Sequence, residues 1–230
     1  MESPVDHGLG ALAARLRALP PSCGPVRLVA VDGHAGSGKS TFAGRLAATL
    51  GEAAAGTGTG TGTGAGAEEA AATGSPRSGC PGTAVPVVHL DDLATHEELF
   101  AWDGRLREQV IEPFSAGRSA RYGVYDWVEQ RLARERTLAP APIVLLEGVG
   151  AGRRALRPYL ACLLWMELAE DTAWSRGRRR DGPQQAAFWD GWIPAERAHF
   201  AVDPSRPYAD LLVTQGQVGY EWRARSVDAR

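Results

Sequence analysis

The residues Gly33-His34-Ala35-Gly36-Ser37-Gly38-Lys39-Ser40 satisfy the pattern G-x-x-x-x-G-K-[ST] in full. Side chains of these types at this spacing grip a polyphosphate. The glycines let successive backbone N–H groups turn inward around anionic oxygens, and a helix opening just after the loop adds the partial positive charge of its N-terminus. Lys39 can then reach the β and γ phosphates while the Ser40 hydroxyl ligates Mg²⁺. Gly33 to Ser40, with Thr41 after them, are the candidate nucleotide-binding residues, and ATP and Mg²⁺ are the cofactors they imply.

Three acids and four arginines are candidates for the chemistry done on that nucleotide. Asp91 and Asp92 follow the apolar run Val85 to Leu90, and Glu147 follows Ile143 to Leu146. In parallel α/β sheets ligands sit outside the carboxyl ends of the strands, which is where these acids stand. A carboxylate beside a γ-phosphate either holds the metal or accepts the proton of an attacking hydroxyl. Arg176, Arg178, Arg179 and Arg180 crowd one helical stretch, Asp171 to Asp181. Such a run is a solvated helix face when isolated. Beside a phosphate loop it reads better as a lid, over roughly 171–193, that folds its cations onto the transferring group.

The elements that must position these side chains alternate. Leu9, Leu12, Leu16 and Leu19 recur at helical spacing up to Pro20 and Pro21. Val26 to Asp32 reads as a buried strand feeding the loop, and Thr41 to Leu50 as the helix after it, with Phe42, Leu46 and Leu50 on one face. Strands are expected at Val85 to Leu90, Ile143 to Leu146, Ala161 to Met166 and Ala209 to Thr214, and helices at Asp103 to Ser115 and Asp171 to Arg180. The pattern implies an α/β fold: a three-layer α/β/α sandwich on a mostly parallel five-stranded sheet, the P-loop NTPase fold. Gly51 to Gly82 alternates glycine with threonine and then small residues, and offers too little apolar surface to offset its ordering entropy, so it is expected as a disordered insert in a single domain spanning 1–230.

A formal charge of -2 over 230 residues, with pI near 6.2, gives no basic face for nucleic acid or a membrane surface, so the expected partner is a small molecule. Cys23, Cys80 and Cys162 fit neither a disulfide framework nor a zinc site. With no secretory start and no apolar run near the roughly 20 residues of a membrane helix, the expectation is a soluble cytoplasmic protein. Whether copies of the chain assemble with one another is left open.

In order, the blocks HAGSGKST, HLDDL, VYDW, IVLLEGV, the arginine cluster ending Arg180-Asp181, and YADLLVTQG resemble the uridine kinase family, within the group that includes phosphoribulokinase and pantothenate kinase. The resemblance covers most of the chain outside 51–82. It implies that Asp91 is the general base on a sugar hydroxyl and that Glu147, with Ser40 and Asp91, holds Mg²⁺. It implies Arg176 and Arg180 as lid arginines acting with Lys39 on the phosphoryl group. Tyr125 and Asp126 match a pair lining the nucleoside pocket. Asp103 falls near an acid that binds the ribose, and Gln130 near a position where nucleoside kinases often carry histidine. The turn closing YADLLVTQG matches backbone near the adenine. Leu93-Ala94 departs from the aromatic pair of the relatives. The implied activity is transfer of the γ-phosphoryl group of ATP to a nucleoside such as uridine or cytidine. The alternatives are a kinase of another small alcohol and a nucleotide-driven switch acting on a protein partner.

Overall fold

In a computed structural model the described residues are 6–55, 85–217 and 219–225. In chain order they form β1 (Asp6–His7), α1 (Leu9–Ala18), β2 (Arg27–Asp32), α2 (Lys39–Ala55), β3 (Val87–His89), α3 (Asp103–Leu106), α4 (Glu112–Ser115), β4 (Ala120–Asp126) and β5 (Arg131–Leu138). There follow β6 (Ile143–Glu147), β7 (Leu160–Met166), α5 (Glu170–Asp181), α6 (Ala186–Val202), β8 (Leu211–Gln215) and β9 (Tyr220–Ala224). A π-helical turn, Arg107–Ile111, joins α3 to α4, so the single helix expected at Asp103 to Ser115 is one rod with a wide turn in its middle.

The main sheet has seven strands in the order β1-β9-β8-β7-β2-β6-β3. The five expected strands are its parallel part, β3-β6-β2-β7-β8. Two further strands extend it antiparallel: β9 pairs with β8, and the short β1 with β9. YADLLVTQG therefore holds the last parallel strand and not the last strand.

Each central strand divides its side chains between two cores, because successive residues point to opposite faces. On β2, Leu28 and Ala30 join a cluster with Trp102, Leu106, Val110, Phe114, Val144 and Leu146 under the α3–α4 rod. Val29 and Val31 join the opposite cluster with Leu12 and Leu16 of α1 and Phe42, Leu46 and Leu50 of α2. Burial on both faces makes these strands continuous apolar runs without alternation. A third, smaller core, Val149, Trp174, Trp189 and Trp192, lies beside the phosphate loop.

Two differences from the sequence reading concern the loop regions. Helix α2 runs to Ala55, so Gly51 is not the start of an insert; the rest of that expected insert, 56–82, lies outside the described residues. Residues 120–138, read only as carrying VYDW, form a two-stranded antiparallel hairpin separate from the main sheet. Among the described residues no helix is long and apolar enough to cross a membrane.

Candidate active site

The phosphate loop leaves β2 at Asp32 and enters α2 at Lys39. Asp32 is fully buried, and its carboxylate accepts the Gly33 N–H at 2.7 Å, the Gly150 N–H at 2.9 Å and the Gly152 N–H at 2.8 Å. One side chain thus ties the start of the loop to the segment after β6, setting two strand ends in fixed relation. Burial pushes this carboxyl up, while its hydrogen bonds and the charge of Lys39 act to keep it ionised.

Gly36 and Gly38 carry φ of 85° and 95°, a region that side-chain-bearing residues avoid. At Gly36 space forbids a side chain as well: a Cβ there would stand 2.0 Å from the Ala173 carbonyl oxygen and 2.8 Å from the Gly177 nitrogen. The loop is pressed directly onto the backbone of α5. Lys39 is buried, with Nζ donating to the His34 carbonyl at 3.0 Å. Such a glycine cradle ending on a buried ammonium fits a phosphate chain.

The loop faces a cavity of about 460 Å³ lined by Lys39, Ser40, Asp91, Glu147 and Arg180, among others. Glu147, at the end of β6, accepts the Ser40 hydroxyl at 3.2 Å through Oε1, and its Oε2 lies 2.7 Å from Nδ1 of His89. Burial works to raise its pKa, but the His89 hydrogen bond and the charge of Lys39 outweigh that and hold it below the usual carboxylate range. His89 is in turn pushed up by the same hydrogen bond. Ser40 and Glu147 present two oxygens to the phosphate end of the cavity. Among the described residues no group of three or more His, Cys, Asp or Glu could hold a metal ion. An ion bound here would draw most of its ligands from phosphate and water, as Mg²⁺ commonly does.

Asp91 follows β3 in a 3₁₀ turn, Leu90–Asp92, and its carboxyl opens onto the cavity. The cavity walls crowd it enough that lost solvation, and then the like charge of Glu147, push its pKa up, against the pull of Lys39. Asp92 stands outside the lining and pairs loosely with Arg136 of β5 at 3.7 Å.

The arginines part company. Arg180, near the end of α5, lines the cavity and is held by Asp181 at 2.6 and 3.0 Å; Asp181 also accepts the Trp189 indole N–H at 3.1 Å. Arg178 bridges to Asp190 at the start of α6. Arg176 lies one turn before Arg180 and lines a second cavity, of about 520 Å³, with Ser37, Glu167, Thr214, Gln215 and Gln217. The two expected lid arginines therefore flank the phosphate loop on different sides.

Of the residues expected around an acceptor, none lines the main cavity. The Tyr125 hydroxyl stands behind the wall, 3.0 Å from Nδ1 of His96, which does line it. Asp126 caps the hairpin turn, accepting the Val128 and Glu129 N–H groups at 2.9 Å each, and these bonds hold its carboxyl below the usual range. Gln130 sits in the same turn at φ 52°. Asp103 is drawn off by Arg153 at 3.0 Å, a cation itself lying 3.9 Å over the Trp102 ring. The acceptor side is instead His96, Trp127, Val128, Gln185, Phe188, Trp189 and Trp192. Phe188, Trp189 and Trp192 come from α6, a helix the sequence reading did not foresee. Its tryptophans lie three apart, and with Glu196 make one buried stripe at helical spacing, which is the signal that could have found it.

No family model matches the chain, and no curated protein matches it. Solved structures do. A protein from Bacillus stearothermophilus described as a "Possible Uridine Kinase" is 18% identical, with a TM-score of 0.57 over 89% of this chain and 96% of that one. The YGR205w protein is 12% identical, covering 89% and 91%, with a TM-score of 0.47. At this identity the first likeness shows a shared α/β P-loop fold.

Proposed function

We propose that this chain is a uridine kinase-like phosphotransferase that moves the γ-phosphoryl group of ATP onto a hydroxyl of a small acceptor, such as uridine or cytidine. The observation that carries the reading is the meeting of a buried lysine, a serine–glutamate pair, a free-standing aspartate and a lid arginine on one cavity. Little covalent work falls to the protein in phosphoryl transfer; positioning and charge suffice. Mg²⁺-bound ATP supplies the transferable group. Lys39 and the N–H groups of Gly36 to Thr41 bind the phosphates. Ser40 and Glu147 would hold the ion, and Asp91, which lines the same cavity, would share it. Asp91 takes the proton from the acceptor hydroxyl, and its raised pKa makes it a stronger base than an ordinary aspartate. Arg180 neutralises charge on the transferring group. Arg176 faces the second cavity, beside the turn after β8, and there serves the donor's base.

A specific observation favours a second reading within the same chemistry. Of the polar residues that would recognise a nucleoside, Asp103 is paired with Arg153, Asp126 caps the hairpin turn and Gln130 sits in that turn outside the main cavity, while the acceptor wall is aromatic. That wall suits a flat alcohol held by stacking, whether or not it carries a ribose. Incubation with ATP, Mg²⁺ and a panel of nucleosides and other alcohols tests both readings. ADP formation dependent on one acceptor is expected; hydrolysis indifferent to every acceptor would mean a nucleotide switch instead.

A further inference from the structure

Glu196 lies outside the lining of the main cavity, yet it is among the least ordinary side chains in the molecule. It is a carboxylate with 0% exposure on the inner face of α6. An ionised group in such a place is costly unless its oxygens are well supplied with donors. Three donors supply them. The Trp192 indole N–H lies at 2.6 Å, Nδ1 of His34 at 2.8 Å, and the backbone N–H of Ala35 at 3.2 and 3.3 Å from the two oxygens. Burial alone would raise its pKa, but the His34 bond, the charge of Lys39 and the Trp192 bond hold it below the usual range. The carboxylate is therefore ionised and can only accept, so His34 Nδ1 is the donor.

Two of those donors belong to the phosphate loop. His34 is also boxed by rings, with Trp165, Trp174 and Phe200 edge-on at 5.3, 5.8 and 5.3 Å. Its carbonyl receives Lys39 Nζ. The third donor, Trp192, lines the main cavity. Glu196 thus grips the first arm of the loop from behind and fastens it to the helix that forms the acceptor wall.

We propose that Glu196 is a positioning residue: it holds His34 and Ala35 so that the remaining N–H groups of the loop, and Lys39 through the His34 carbonyl, stand ready for the phosphates before the nucleotide arrives. The proposal rests on the loop binding ATP, as proposed above. A cradle held in its binding form avoids the ordering cost that a loose loop meets on binding, so the grip should appear in donor affinity and not in acceptor affinity.

The test is ATP dissociation measured by calorimetry, with acceptor KM measured alongside. Glu196→Gln keeps the volume but has one acceptor oxygen for three donors, and should weaken ATP about tenfold, the scale of a lost hydrogen bond to a charged group, while acceptor KM stays put. His34→Ala should weaken ATP similarly, and His34→Asn, whose amide can still donate, should recover most of the loss. This arm decides the matter if Glu196→Gln does not fold. Unchanged ATP affinity in Glu196→Gln or His34→Ala overturns the proposal. So does tighter binding, which would make the carboxylate a competitor of the phosphate, or a loss shared equally by acceptor KM. Wild-type protein that binds no ATP would instead sink the functional reading on which this one stands.

Discussion

Replacing Gly36 and Gly38 separately by alanine isolates the contact between the phosphate loop and the lid helix. Both glycines stand at positive φ, 85° and 95°, so an alanine suffers backbone strain of roughly 1–3 kcal/mol at either position. That term largely cancels between the two variants. What differs is space. A Cβ at Gly38 meets only the Gln215 side chain, at 3.9 Å, whereas at Gly36 it meets the Ala173 carbonyl at 2.0 Å, and neither partner there is a side chain that can swing away. Relief requires the loop or α5 to move by an ångström or more, and overpacking of this kind costs about 1–3 kcal/mol beyond the strain. For a chain of this length each kcal/mol lowers the melting temperature by roughly 2–4 °C, so Gly36→Ala should melt roughly 2–12 °C below Gly38→Ala. Thermal unfolding followed by circular dichroism in one buffer gives the comparison. Two variants that melt together would refute the claim that the loop is seated on α5.

Asp91→Asn should lower phosphoryl transfer by about 10²–10⁴, the usual contribution of a positioned base, with ATP affinity nearly intact; turnover close to wild type would show that the proton leaves by another route. Glu147→Gln should raise the Mg²⁺ concentration needed for half-maximal ATP binding by about tenfold or more, since it weakens both the charge and the Ser40 partner; an unchanged titration would remove Glu147 from the ion site. His199 is pressed against Phe100, their rings 4.6 Å apart, and burial followed by the charge of Arg153 pushes its pKa down to about 4 from an ordinary 6.5. The unfolded chain then binds the extra proton first as the pH falls, so this contribution to stability is full above 6.5 and is lost progressively down to about 4. His199→Phe should flatten that part of the stability profile, and an unaltered slope would assign the acid sensitivity to other groups.

The sequence made the donor side legible because its signals are local. The phosphate loop is eight consecutive residues, the strand that carries Glu147 is buried along its whole length and so reads as a short apolar run, and the half-buried β3 before Asp91 still shows a pair of valines. The remaining strands and the acceptor side were not legible, for three physical reasons. Strand β5, Arg131 to Leu138, is exposed along nearly its whole length and has no burial pattern to betray it. Strand β1 has two residues, too short for a period to register. Above all, the contacts that decide roles are remote in sequence. Asp103 is engaged by Arg153, 50 residues on, and Glu196 reaches Ala35 across 161, so a residue's type and neighbours could not say which acids were free. Arg176 and Arg180 illustrate the same limit at short range. One helical turn separates them in sequence, yet the loop between them divides their surroundings into two cavities.

The central claim, that Lys39, Glu147, Asp91 and Arg180 act together on a phosphoryl group bound for an alcohol, is tested most directly by following the label from γ-³²P-ATP in a single turnover. The account predicts that the label appears in a phosphate monoester of the acceptor and nowhere else. Label recovered as inorganic phosphate at the same rate with and without acceptor would contradict it.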